Sequence, residues 1–256
     1  MAIREMTVDE VCDEMRSPPA GFLRVVATDA DGTLWDGDVG DALFRHLIAR
    51  DAVDARAREA TRELCARYLP RVPEGLSAQA EALIAGHAAG LVPIEPLCDL
   101  EAEAAGGRSI AELDAFLAEV GGSFAARMRP ESVELLTRLR GDGFAVHVVT
   151  GSLGALVEAT LRAAGLVVDA VSGGSLRVHD GQVLPTLAQP IPLHGGKVEA
   201  LRAAGRWPAA VAMGDGGWDA SFLSGSALPL LVHPRPTLLE AMKEHPSVAR
   251  LSPVPL

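Results

Sequence analysis

Four short polar clusters in this chain have the composition to handle a phosphoryl group. Asp29-Ala30-Asp31-Gly32-Thr33 sets two carboxylates one residue apart, so on an extended backbone both leave the same side. Thr150-Gly151-Ser152 offers a hydroxyl that can donate to a phosphoryl oxygen. Gly195-Gly196-Lys197 brings a compact ammonium to the start of a helix. Gly214-Asp215-Gly216-Gly217-Trp218-Asp219 adds further carboxylates in a glycine-rich loop. Carboxylates gathered like this repel one another unless a cation sits among them. An all-oxygen donor set at a phosphate-handling site favours magnesium, which would neutralise both the carboxylates and the phosphate.

Each cluster adjoins a segment that reads as a strand or a helix. Phe22 to Ala27 is a short β-branched run, expected as a buried strand, and Asp29 follows it. The run Phe144 to Val149 precedes Thr150, and Ala209 to Met213 precedes Asp215. Lys197 to Ala204 reads as a helix, and Leu228 to Val232 as another strand. Helices are expected at Pro130 to Arg140, with proline in its first turn, and at Leu153 to Ala164 before Gly165. A further strand is expected at Val167 to Val171, and Asp180-Gly181 marks a hairpin. Strands alternating with helices predict an α/β fold: a Rossmann-like parallel sheet with right-handed crossovers. In such sheets ligands bind beyond the carboxyl ends of the strands, where all four clusters stand.

Between about residues 41 and 126 the signals are helical and alanine-rich, with no convincing strand. Helices are expected at Asp41 to Tyr68, Ser77 to Ala89 and Ser109 to Val120. The last has a Ser109/Glu112 capping box and is expected to end at Gly121-Gly122. Another capping box, Thr7/Glu10, opens a short helix that stops before Ser17-Pro18-Pro19. The expected organisation is a core of residues 1–35 and 127–256, interrupted by an all-helical insert at 36–126.

Bulk composition narrows the partners. Lys+Arg number 23 against 34 Asp+Glu, a net charge of -11, so nucleic acid and anionic membrane surfaces are not expected partners. Such a charge also repels a phosphorylated ligand at long range, so the site needs a locally reversed field. Cys12, Cys65 and Cys98 are scattered without CxxC spacing, which suits a reducing compartment and indicates neither disulfides nor zinc. The N-terminus does not read as a signal peptide, and no run of about 18 apolar residues occurs. A cytoplasmic location is the expectation. Oligomeric state is not readable.

Taken singly, DxDG and GDGG are common turns, GGK an ordinary helix entry and Thr-Gly an ordinary strand exit. Their joint order at successive element ends is more specific. DADGT at 29–33, the strand ending in Thr150, Lys197, and GDGGWD at 214–219 resemble, in order, the four motifs of the haloacid dehalogenase superfamily of phosphatases. The insert after the first motif resembles that superfamily's C1-type helical cap. The resemblance implies a phosphomonoester hydrolase acting on a small phosphorylated metabolite. Asp29 would form an aspartyl-phosphate, and Asp31 would protonate the leaving group and then activate water. Magnesium would be held by the Asp29 carboxylate, the Asp31 carbonyl and Asp215. Thr150 and Lys197 would bind phosphate, with Gly32, Thr33 and Gly151 beside it, and Asp219 would orient Lys197 or a metal-bound water.

Within the superfamily the sequence is most similar to the phosphoserine phosphatase-like branch. There an acidic residue nine positions after the nucleophile reads an amino group; here that residue is Asp38. Gly32 and Thr150-Gly151-Ser152 depart from that branch, which usually carries Ser and Ser-Gly-Gly at these places. The stretch Trp35, Asp36, Asp38, Asp41 reads as a solvated hinge and helix start, or as a pocket in which Trp35 and the carboxylates take a cationic head group. Dehalogenases do not require an acid/base at the second aspartate, and phosphonate hydrolases need a cap lysine. Asp31 is present, and the only lysines are Lys197 and Lys243. A phosphomutase with the same chemistry, or a non-catalytic phospho-ligand module, is the alternative. His147 is expected to pack within its strand.

Overall fold

The computed structural model describes residues 3–253. The chain runs β1 (Arg4–Met6), α1 (Val8–Met15), β2 (Leu23–Thr28), α2 (Val39–Ala49), α3 (Ala55–Tyr68), α4 (Leu76–Ala88) and α5 (Ile94–Ala104). It continues through β3 (Arg108–Ser109), α6 (Ile110–Phe124), α7 (Pro130–Gly141), β4 (Ala145–Leu153), α8 (Gly154–Ala163), β5 (Ala170–His179) and β6 (Gln182–Gln189). The last elements are α9 (Gly195–Ala203), β7 (Ala209–Gly214), α10 (Ala220–Ser224), β8 (Leu228–Leu231), α11 (Pro236–Met242) and β9 (Ala249–Leu251). Among the described residues no helix is long and apolar enough to cross a membrane.

The strands form one sheet in the order β1-β9-β8-β7-β2-β4-β5-β6-β3, parallel except where β6 pairs with β5 and β3. β2 lies at the centre, flanked in register by β4 (Val26 opposite Val146) and β7 (Val26 opposite Val211). From β2 the sheet grows through β4, β5 and β6 on one side and then through β7, β8 and β9 on the other. This makes β2 the edge of a switch point where α/β folds open a crevice. β2, β4 and β7 bury side chains on both faces, as a helix-covered parallel sheet requires; Val26, Val146 and Val211 are fully buried. Two apolar clusters flank the sheet, one spanning α1, the inserted helices, α7 and α8, the other α9, α10 and α11.

Most sequence expectations recur within a few residues, and the departures have local causes. The expected helix Asp41 to Tyr68 is two helices: Asp51 takes φ 54° after α2, and the Asp54 side chain accepts the Ala57 N–H to start α3. α5 is additional; Pro93 and Pro96 interrupt its helical period in the sequence. α6 does not stop at Gly121-Gly122 but runs to Phe124. A Cβ on Gly121 would meet the backbone N of Thr160 in α8 at 2.8 Å, so the glycine serves close helix packing and not a helix end. The expected strand Val167 to Val171 begins only at Ala170. The insert between β2 and β4 is helical apart from the two residues of β3, which join β6 at the sheet edge. Both capping boxes form, and Asp180 and Gly181 take φ 47° and 75° at the β5–β6 turn.

Candidate active site

Sheet order brings the four clusters together. Asp29 follows β2, Thr150 lies within β4 and Asp215 follows β7, so three neighbouring strands deliver them to one edge. Lys197 comes from the first turn of α9. The Asp29 N–H donates to the Met213 carbonyl (2.9 Å), continuing the β2–β7 ladder to the site.

Lys197 is fully buried, with Nζ 2.6 Å from Asp29 Oδ1 and 2.6 Å from Asp219 Oδ1. Burial works against its charge, but the two carboxylates outweigh it and hold the amine above the ordinary lysine range. Asp219 Oδ2 accepts the N–H groups of Asp215 (3.1 Å) and Gly216 (3.0 Å), so both oxygens of Asp219 brace the loop and Lys197. Gly32 is required twice over. Its φ is +77°, and a Cβ there would stand 2.3 Å from Asp215 Oδ2.

Asp31 is held on both oxygens. Oδ1 accepts from Trp35 Nε1 and the Val39 N–H, each at 2.8 Å, and Oδ2 accepts from Ser152 Oγ at 2.7 Å. Burial, then the charges of Asp38 and Asp29, push its carboxyl well above the usual range, a state suited to donating a proton. The same logic raises Asp29 to about 6, through burial and then Asp219, against Lys197. Asp215 rises to about 8, through burial and then Asp29 and Asp219.

Trp35 is fully buried behind Asp31 and edge-on to Phe124 (6.4 Å between centroids), so it cannot stack on a ligand's cationic group. That part of the pocket expected around Trp35 and the carboxylates is corrected: the aromatic facing the cavity is Trp218. Thr150 is fully buried and its Oγ1 accepts the Ser152 N–H at 3.0 Å. Thr33 Oγ1 lies 3.4 Å from Asp29 Oδ2. His147 is buried within β4, bonded to Ser172 Oγ at 2.8 Å, and burial lowers it to about 4.

A cavity of about 240 Å³ opens over this edge, below the roughly 300–1,000 Å³ usual for drug-sized ligands. Asp29, Asp31, Gly151, Ser152, Trp218 and Arg235 line one side; Asp38, Asp41, His87, Cys98 and Glu101 of the insert line the other. Ser152, Arg235, His87 and Glu101 are among those not singled out as site residues from the sequence. Ser152 positions Asp31. Arg235 Nε donates to Asp215 Oδ2 (2.7 Å), and its guanidinium lies 5.0 Å from the Trp218 ring. His87 meets Trp218 from the insert side, with centroids 5.8 Å apart. Glu101 joins Asp38 and Asp41. The signal for Ser152 was its place in the second cluster; Arg235 and Glu101 carried none.

The donor set fits a hard divalent cation. Asp29, Asp215 and Asp219 each bring an oxygen within 4.8 Å of the others, and Asp215 Oδ1 is buried with no hydrogen-bond partner. With Asp219 committed to Lys197 and the loop, Asp29 and Asp215 are left to face such an ion. A divalent charge between them would reverse the upward push on both carboxyls.

The model of the haloacid dehalogenase-like hydrolase family matches residues 26–224, a span that takes in all four clusters. A phosphoserine phosphatase of Halobacterium salinarum is 37% identical over 115 residues, covering 43% of this chain and 54% of that protein. The chain thus aligns with about half the length of that curated relative. Among solved structures, a protein of unknown function from Bordetella pertussis Tohama I superposes with TM-score 0.69 at 18% identity, covering 90% of this chain and 99% of the other. A phosphoserine phosphatase held as a phospho-aspartyl intermediate analogue superposes with TM-score 0.56 at 17% identity, covering 89% and 93%. At such identity these superpositions establish the shared fold.

Proposed function

The chain belongs to the haloacid dehalogenase-like hydrolase family, and from that premise we propose that it is a magnesium-dependent phosphatase of small phosphomonoesters working through an aspartyl-phosphate. The observation that carries this reading is the fully buried Lys197 bridging Asp29 and Asp219 at 2.6 Å, beside the unpartnered Asp215 Oδ1. A binding module would have no need to bury three charges around a reactive carboxylate. The relative named a phosphoserine phosphatase supports the same reaction class, and the fold is shared with a phosphoserine phosphatase held as a phospho-aspartyl intermediate analogue.

In the proposed sequence an Asp29 oxygen attacks phosphorus and the P–O ester bond breaks. The Asp31 carboxyl gives its proton to the departing alkoxide; Trp35, Val39 and Ser152 keep that carboxyl aimed. Asp31, now a carboxylate, takes a proton from water. The hydroxide attacks phosphorus, the bond to Asp29 breaks, and inorganic phosphate leaves. Lys197 and Thr150 counter the charge on the phosphoryl oxygens, while Asp219 keeps Lys197 in place. Gly32 makes room for Asp215, Thr33 Oγ1 lies beside Asp29 Oδ2, and Gly151 lines the cavity where the phosphoryl group would sit. Magnesium, held by the Asp29 carboxylate, the Asp31 carbonyl and Asp215, would screen the anionic substrate from the anionic nucleophile. Residues 36–126 act as a cap over a core of 1–35 and 127–256, a reading supported by the insert residues that line the cavity and by the His87–Trp218 contact.

The test is phosphate release from a panel of phosphomonoesters, with magnesium and with chelator, for wild type and Asp29→Asn. Magnesium-dependent release lost in the variant is expected, with Asp31→Asn accumulating a phosphoenzyme. Near-normal turnover by Asp29→Asn would overturn the mechanism, and isomerisation of a sugar phosphate without phosphate release would make the protein a mutase.

A further inference from the structure

The two ends of the cavity differ in their charge chemistry. One end holds Asp29, with Lys197 and Asp215 behind it. At the other, Asp38 and Asp41 at the start of α2 and Glu101 on α5 each bring a carboxylate oxygen within 4.8 Å of the others. Glu101 is 7% exposed, lines the cavity, and its Oε1 has no hydrogen-bond partner. A buried carboxylate left this way is unfavourable until a cation or donor joins it. Gly40 keeps the meeting point open. A Cβ there would stand 3.0 Å from Glu101 Oε2, 3.1 Å from Asp38 Oδ1 and 3.4 Å from Ser152 Oγ.

The basic side chains nearby are Arg45, Arg235 and His87, whose Nδ1 lies 3.0 Å from the Val92 carbonyl. Arg45 comes within 3.8 Å of Asp41, but its fork holds Glu81 at 2.6 and 2.9 Å. Arg235, the one arginine or lysine among the described residues lining the cavity, is tied to Asp215 at 2.7 Å. None of the three forms an ion pair with Asp38 or Glu101, so a positive charge for this end would arrive with the ligand. An alkylammonium has three N–H donors, and three acceptors about 2.8 Å from one nitrogen stand roughly 4.6 Å apart, a spacing this carboxylate group accommodates. A ligand carboxylate at this end would meet three acids.

We propose that Asp38, Asp41 and Glu101 receive an alkylammonium on the organic half of the substrate, so that the protein prefers aminoalkyl phosphates without a carboxylate over neutral phosphomonoesters and over phosphoserine. The inference rests on the phosphatase reading. Asp38 is the amine reader that the family resemblance implies; Asp41, Glu101 and the exclusion of a carboxylate go beyond it. The reaction is simple hydrolysis: water cleaves the P–O ester bond, giving an amino alcohol and inorganic phosphate.

The experiment measures kcat/KM with magnesium for 2-aminoethyl phosphate, propyl phosphate and O-phosphoserine. Propyl phosphate replaces the ammonium by a methyl group of similar size. Wild type should favour 2-aminoethyl phosphate over both by roughly 10- to 100-fold, the weight of a charge-assisted hydrogen bond. In Glu101→Gln and Asp41→Asn, with folding checked by circular dichroism, the ratio of 2-aminoethyl to propyl phosphate should fall toward one, chiefly through KM. The wild-type ranking needs no variant to fold. Equal or reversed preference in wild type, or a ratio untouched in both variants, overturns the proposal while leaving a phosphatase. Titration showing two magnesium ions in wild type and one in Glu101→Gln gives the cluster to a metal and also overturns it. Release from no ester overturns the phosphatase reading and this inference together.

Discussion

Replacing Lys197 by Met should destabilise the protein in a way that depends on pH and magnesium. The methionine roughly keeps the volume of the lysine but removes the charge that faces Asp29 and Asp219 at 2.6 Å each. Both carboxylates stay buried, with side-chain exposures of 4% and 0%, so solvent cannot replace the lost partner. Removing one member of a buried ion pair costs about 3–5 kcal/mol. For a chain of this size, with about 2–4 °C lost per kcal/mol, the melting temperature should fall by roughly 6–20 °C at pH 8 without metal. The penalty should shrink at pH 5, where Asp29, with a pKa of about 6 even beside Lys197, gains a proton that relieves the repulsion. Magnesium should recover part of the loss at pH 8 by supplying positive charge next to Asp29. Scanning calorimetry of wild type and variant at both pH values, with and without magnesium, reads all three effects. A loss below about 1 kcal/mol at pH 8, or a penalty equal at pH 5 and 8, would refute the electrostatic reasoning.

Gly32→Ala should weaken magnesium binding at least about tenfold by calorimetric titration, because the residue has φ +77° and its Cβ would lie 2.3 Å from Asp215 Oδ2; unchanged affinity would contradict the placement of Asp215. Magnesium binding should tighten as pH rises from about 6 to about 8, since Asp29 and Asp215, with pKa values of about 6 and about 8, must lose protons to bind it. Titrations in buffers of different ionisation heat should register net proton release. For the metal-free protein the sign is opposite. A carboxyl raised from its ordinary 3.8 contributes stability present below that value and lost as pH rises through its folded pKa, so Asp215 makes the metal-free melting temperature fall between about 4 and about 8. Gly121→Ala should destabilise by about 1–2 kcal/mol in chemical denaturation, although alanine is the better helix former by about 1 kcal/mol, because its Cβ meets the Thr160 backbone at 2.8 Å. A stabilised variant would mean that α6 and α8 do not cross so closely.

What the sequence determined by itself was local. A β-branched run followed by Asp-x-Asp-Gly, Ser or Thr three residues before Glu, and Asp-Gly between two β-like runs each act within a turn or two of backbone. Hence β2, both capping boxes, the β5–β6 turn and all four clusters were legible before any contact was known. Proline and glycine misled where their role was set elsewhere: Pro93 and Pro96 hid α5, and Gly121 marks a helix crossing. Tertiary structure alone decided the partners. Ser152 reaches Asp31 across 121 positions of sequence, and Lys197 reaches Asp29 across 168. Sheet order made those encounters, because placing β2 between β4 and β7 fixes which loops share an edge. The same holds for the turning of Trp35 into the core and the meeting of Glu101 with Asp38 and Asp41. Each depends on what the sheet and its neighbouring elements bury, a long-range packing outcome that no single segment encodes.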